Sequence, residues 1–196
     1  METLFPLILF AFVSSITPGP NNIMLTSSGL LFGFMRTIPH LLGISVGMLV
    51  MLALCAVGVG SLIVAVPHLY LLLKVFGSAY LLYLAWRLRH MAFREEGDAA
   101  AKPWSFLNAA TFQFANPKAW IISVTGASTF LPHTQPIGTS TVVFCLVFCA
   151  VNLPCTTIWT GAGAGLRRYL RQRRWRNLFC GVMIFLTVYS AIVIWL

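Results

Sequence analysis

What this sequence has least of is charge. Of its 196 residues only 9% are Asp, Glu, Lys or Arg, against 59% hydrophobic residues and a mean hydropathy of +0.87. A water-soluble domain carries about 25% charged residues, so this chain has too little polar surface to face water all round. Acid is scarcest: Glu2, Glu95, Glu96 and Asp98 are its four acidic residues. The five cysteines (Cys55, Cys145, Cys149, Cys155, Cys180) sit inside apolar stretches and read as small buried hydrophobes. Cys145 and Cys149 share a helix face, but no histidine or carboxylate stands near them in sequence, so neither a metal centre nor another cofactor is expected. Met1-Glu2-Thr3 holds no basic residue and no small-residue cleavage site follows, which argues against a cleavable signal peptide.

What is abundant is long apolar runs separated by positive charge. Six runs stand out: 3–34, 38–66, 69–86, 106–131, 137–166 and 178–196. A bilayer span needs about 20 apolar residues, so the expected fold is an all-α membrane protein with six transmembrane helices and one domain over 1–196. The net charge of +9 lies between the runs. Arg36 falls after the first, Arg87, Arg89, Arg94 and Lys102 after the third, and Arg167, Arg168, Arg171, Arg173, Arg174 and Arg176 after the fifth. The second and fourth gaps hold no basic residue apart from Lys74, just inside the third run, and Lys118 lies within the fourth. Basic loops stay in the cytoplasm, which puts both termini on the periplasmic side of the bacterial inner membrane. The arginine cluster is then a cytoplasmic loop in reach of anionic lipid headgroups, and nucleic-acid binding is not expected. With three runs on each side of the 89–103 loop, halves 1–88 and 104–196 run in opposite directions, predicting a 3+3 inverted repeat.

The first run of each half is interrupted. Thr17-Pro18-Gly19-Pro20-Asn21-Asn22 carries two prolines around a glycine, which should break the helix because proline removes a donor and clashes with the preceding turn. Gln113-Phe114-Ala115-Asn116-Pro117-Lys118 interrupts the fourth run, with Lys118 about 18 Å beyond Phe106 along a helix. That depth is near the middle of a core about 30 Å thick, where a charge costs on the order of 2.5–3.5 kcal/mol. Irregular backbone is tolerated in lipid only where it lines protein or a wet cavity. The two breaks and Lys118 therefore predict a shared midplane site for a small molecule. The half-helix starting near Asn21 offers free N–H groups for a carboxylate, and the one ending near Ile16 offers carbonyls for an ammonium. Lys118 either adds a charge for the carboxylate or serves as an internal cation that substrate or a proton displaces. Asn21, Asn22, Gln113 and Asn116 are candidate contacts for a polar side chain. Asn152, beside Pro154, lines the same cavity or makes a helix-packing hydrogen bond.

Three smaller patterns need weighing. Gly43/Gly47 and Gly161/Gly165 have GxxxG spacing, read as close helix packing within one subunit or between two, the latter implying a homodimer. Gly43-Ile44-Ser45-Val46-Gly47 also fits the nucleophile-elbow pattern, and His40 is close in sequence. That chemistry needs a strand-to-helix turn and an acid partner, so an enzyme is not expected.

At Thr17 to Asn22, at Asn116-Pro117-Lys118-Ala119 and at Gly77-Ser78-Ala79-Tyr80-Leu81, the chain resembles the LysE/RhtB superfamily of bacterial amino-acid exporters. The match runs over almost the whole chain in order and spacing. With Gln113-Phe114 and Ser128-Thr129-Phe130-Leu131-Pro132 it looks closest to the cysteine/O-acetylserine branch. The resemblance implies six transmembrane helices and efflux of small amino acids or close metabolites (cysteine/O-acetylserine-like or threonine/homoserine-like), typically by proton antiport. Many relatives carry aspartate where Asn21 stands here. With every acidic residue outside the runs, Lys118 is the candidate proton carrier; otherwise the protein is a uniporter or exchanger. The competing readings are a transporter of another solute, such as a metal ion, and a non-transporting scaffold. The former has few intramembrane ligands to use, and the latter leaves a midplane lysine unexplained.

Overall fold

The computed structural model describes residues 3–59, 67–92, 102–131, 138–166, 169, 172–193 and 195. Among them are eight α-helices and no strand, so the all-α expectation holds. The first run is split into α1 (Leu4–Ile16) and α2 (Pro20–Phe32), bent by 55° at the break. Thr17 and Gly19 are both extended there, the conformation a following proline imposes. Gly33 then turns the chain within one residue, at φ 81°, into α3 (Phe34–Ala56). A side chain would strain that turn. Arg36 consequently lies in the first turn of α3, not in a loop as the apolar runs suggest.

The next element is α4 (Pro67–Ala92). It continues past Trp86 to Ala92, so Arg87 and Arg89, expected in a loop, lie in the helix; charge ends an apolar run sooner than it ends a helix. The fourth run is split as expected. A short α5 (Phe106–Phe112), capped by the Ser105 hydroxyl, passes through one 3₁₀ turn (Gln113–Ala115) and the extended residue Asn116 into α6 (Pro117–Phe130). The fifth run is α7 (Thr139–Leu166) and the sixth is α8 (Arg173–Val193), which starts several residues early and takes Arg173, Arg174 and Arg176 into the helix. Pro39 and Pro154 are accommodated inside α3 and α7 without a break.

Helices α1 and α2 both pack on α7; α3 packs on α5, α6 and α7; α4 packs on α8. The main core lies where α1, α3, α6 and α7 meet, built from Leu7, Met48, Met51, Leu52, Trp120, Phe144 and Phe148 with Cys55 and Cys145 among them. Glycine sets how closely the helices approach. Side chains at Gly43 and Gly47 would strike the α5 backbone at Phe106 and Ala110, so this pair packs within the chain. Gly161 and Gly165 do not. They face open space, and the close contact between α2 and α7 is made by Gly29 against Thr160 and Gly163 against Thr26. The spacing was visible in sequence, but the face that α7 presents was not.

The surface reverses the usual order of polarity. Phe5, Met35, Phe76, Leu107 and Phe185 are each at least 66% exposed, while Asn22, Thr26, His40, Gln113, Asn116, Asn152 and Thr160 are buried. Such an exterior suits lipid, not water. Among the described residues, α3 and α7 are long and apolar enough to cross a bilayer alone, and the bent α1–α2 pair passes as a third span.

Candidate functional site

The two interruptions come together. At the first, the end of α1 turns its carbonyls outward, and side chains from three elements collect them. Thr17 Oγ1 donates to Ser14 O at 3.2 Å, and Asn22 Nδ2 donates to Ser15 O at 2.8 Å and to Thr17 O at 2.9 Å. Trp159 Nε1 on α7 donates to Ile16 O at 3.2 Å. Lys118 Nζ, from α6, donates to Thr17 O and Thr17 Oγ1 at 2.9 Å each and to Pro18 O at 3.2 Å. The carbonyls expected to await a substrate ammonium already have partners. On the other side of the break, α2 starts at Pro20 with no side-chain cap.

The second interruption is satisfied from within. Asn116 Oδ1 accepts from the Lys118 amide at 3.1 Å and so caps α6, while Pro117 takes the first helical position. Gln113 Nε2 donates to Ala109 O at 3.0 Å, and Trp120 Nε1 to Phe114 O at 2.9 Å. Pro117 abuts Gly77 of α4, where any side chain would collide with the proline ring. That contact gives the Gly77-Ser78-Ala79-Tyr80 motif its structural reason, with the Tyr80 ring tilted against Phe112 at 4.7 Å between centroids.

Asn21 joins the two breaks. Its Nδ2 donates to Gln113 Oε1 at 2.8 Å, and its Oδ1 accepts from Gln113 Nε2 and Asn116 Nδ2, both at 3.2 Å. On α7, Asn152 donates to Ser15 Oγ at 3.0 Å, so its packing role is real. Its Oδ1 is buried and has no partner among the described residues.

Between these groups lies a cavity of about 30 Å³, lined by Ser15, Gly19, Asn21, Asn116, Lys118 and Asn152 on the polar side and by Met48 and Phe148 on the apolar side. By that measure one water needs about 10–15 Å³, so the space beside Lys118 is on the scale of a few waters. Of the residues singled out from sequence, Gly19, Pro20, Asn21, Asn22, Asn116, Lys118 and Asn152 line the cavity. Thr17 and Pro18 stand behind Lys118 as its acceptors. Gln113, fully buried, holds Asn21 from behind, and Pro117 faces α4. Sequence reasoning missed Ser15, Trp120 and Trp159. Trp159 had a usable signal: it lies seven residues beyond Asn152, two turns along the same face of α7.

The nucleophile-elbow pattern dissolves into packing. Ser45 Oγ donates to Leu41 O one turn back in α3, and both glycines of the pattern face α5. His40 is buried and stacked on Trp104 at 5.8 Å. Among the described residues no group of three metal-ligating side chains occurs.

A helical membrane protein with a polar centre at two broken helices has the build of a solute carrier. The sequence matches the LysE type translocator family over residues 12–192. It is 37% identical to a cysteine/O-acetylserine efflux protein of Shigella flexneri serotype 5b (strain 8401) over 195 residues, covering 95% of this chain and 97% of that protein. It is equally identical to the protein of the same description in Escherichia coli (strain K12), covering 93% of this chain and 92% of that one. No solved structure matches the chain. The chain belongs to the LysE type translocator family: it is a multi-pass bacterial membrane transporter of a small molecule, not an enzyme.

Proposed function

We propose that this protein exports small neutral amino acids or close metabolites, of the cysteine and O-acetylserine kind, from the cytoplasm across the bacterial inner membrane. The observation that carries the reading is the meeting of both broken helices at Lys118, beside a cavity with polar and apolar walls. The substrate carboxylate sits at the uncapped start of α2 with the Lys118 charge nearby. The amides of Asn21, Asn116 and Asn152 face its polar groups. Relatives described as cysteine/O-acetylserine efflux proteins support the substrate class.

The architecture we infer is six spans in one domain over 1–196, arranged as a 3+3 inverted repeat of 1–88 and 104–196. Packing supports the repeat. Exchanging first for fourth, second for fifth and third for sixth spans turns the contact of α1 and α2 with α7 into that of α5 and α6 with α3, and maps the α3–α7 and α4–α8 contacts onto themselves. The arginine distribution favours a cytoplasmic segment near 89–103, periplasmic termini and contact with anionic lipid at the arginine cluster. Efflux is coupled to protons through Lys118, since none of α1 to α8 contains an acidic residue. The open face at Gly161 and Gly165 is where a second copy would pack in a homodimer.

Inside-out vesicles test this directly. Labelled cysteine and O-acetylserine should accumulate only when the protein is present, and faster with a pH gradient. Equal fluxes with and without protein would end the exporter reading for these substrates. Equal fluxes with and without the gradient would end the proton coupling alone.

A further inference from the structure

Lys118 is a partly buried cation whose partners among the described residues are neutral. Its ammonium donates to three oxygens of the first break, Thr17 O, Thr17 Oγ1 and Pro18 O, at 2.9, 2.9 and 3.2 Å. None of the described helices contains an acidic residue. An ammonium has three donors and no acceptor, and these three oxygens stand at the C-terminal end of α1, where the helix dipole is negative. They make a seat for a primary ammonium of any origin. The free amino group of an amino acid is the same chemical group as the tip of lysine.

The lysine stem has a second effect. A side chain at Gly19 would find Lys118 Cδ at 2.8 Å and Nζ at 3.1 Å, so the lysine lies across the uncapped start of α2. It therefore covers the carboxylate end of the site while filling the ammonium end, and only about 30 Å³ is left beside it. Its backbone is pinned through Asn116, so rotation of the side chain alone would vacate the oxygens, uncover α2 and enlarge the cavity.

We propose that Lys118 is a tethered placeholder for the ammonium group of the transported zwitterion. The substrate ammonium takes over Thr17 and Pro18 while its carboxylate draws Lys118 away to a new ion pair beside Gly19. This deepens the export reading above and rests on it. The exchange keeps every charge partnered. An amine without a carboxylate brings a second cation and gives Lys118 nowhere to go. A carboxylic acid without an amine draws Lys118 away and leaves three acceptors without their donor, the costly half of a lost hydrogen bond wherever water does not reach them. Selectivity for zwitterions follows.

The test uses the full chain in lipid nanodiscs and in inside-out vesicles. In the wild type, O-acetylserine should compete for export of its labelled form, whereas propionate and ethylammonium should need at least 100-fold higher concentrations. In Lys118→Ala, ethylammonium chloride should raise the thermal unfolding midpoint at concentrations at least tenfold below those needed for the wild type, with tetramethylammonium chloride as the ionic-strength control. Adding Thr17→Val should reverse part of that gain. Propionate competing as well as O-acetylserine in the wild type would overturn the proposal, and this arm does not depend on any variant folding. So would a folded Lys118→Ala with no gain for ethylammonium. If the wild type exports no amino acid but Lys118→Ala gains ethylammonium, the ammonium seat stands and the substrate assignment falls. If export is robust but the gain is absent, the reverse holds.

Discussion

The two breaks of this protein solve one problem in opposite ways. The second is self-contained: Asn116 caps α6, Gln113 and Trp120 tie local carbonyls, and Pro117 is wedged against Gly77. The first depends on others for part of its satisfaction, because Trp159 comes from α7 and Lys118 from α6, and the start of α2 has no side-chain cap. A break that satisfies itself is a rigid mount. A break satisfied by a long flexible side chain from elsewhere is a place where partners can be exchanged. The contrast assigns the second interruption to positioning and the first to binding.

The sharpest way to break this comparison is at the residue that links both sides. Lys118→Ala should lower O-acetylserine export about 30-fold or more, since it leaves the substrate carboxylate without its proposed ion-pair partner, a loss of about 2–5 kcal/mol where each 1.4 kcal/mol is tenfold. Vesicle flux at equal protein density checks it, and near-normal export would remove Lys118 from the site. The two glycines beside the breaks should then separate cleanly. Gly77→Ala meets the rigid Pro117 ring and should destabilise the fold by about 1–3 kcal/mol. Gly19→Ala meets only the movable end of Lys118 in an extended backbone that any residue adopts, so it should melt near the wild type yet export more slowly. Thermal melts in one detergent, paired with flux, test both, and equal destabilisation would erase the distinction between mount and exchange point.

Smaller effects should follow from the asparagines. Asn22→Ala strips donors from two carbonyls, Ser15 O and Thr17 O, in a buried setting, and should cost about 2 kcal/mol. Asn116→Ala removes the α6 cap and the donor to Asn21 Oδ1 and should cost about 1–2 kcal/mol, with Asn116→Asp restoring the cap alone. The smallest change is expected at Gly161→Ala, within about 0.5 kcal/mol for the single chain, because nothing lies near it. A larger loss there, appearing only at protein densities that allow pairing, would locate a subunit interface on α7.

Legibility in the sequence followed how local each cause is. Pro18-Gly19-Pro20 and Asn116-Pro117 break helices by their own chemistry, so both interruptions were readable to within a residue or two. Lys118 was readable as buried because no packing reason favours a cation in that position. What stayed hidden depends on the rotation of one helix about another. Gly161 and Gly165 have the same spacing as Gly43 and Gly47, yet only the latter pair meets a neighbour. The occupancy of the carbonyls at the first break was equally hidden, because Trp159 and Lys118 reach it from 143 and 101 residues away in sequence. Helix ends were misjudged at Arg36 and in the first turn of α8, where charge was taken to mean loop.

The measurement that bears most directly on the account is a double-mutant cycle between Thr17→Val and Lys118→Met, read as O-acetylserine flux. If the lysine of one broken helix acts through the oxygens of the other, Thr17→Val should cost less in the Lys118→Met background than in the wild type, because only its contact with the substrate ammonium is left to lose. Losses that multiply would mean that the two residues work independently, and the joined centre described here would not exist.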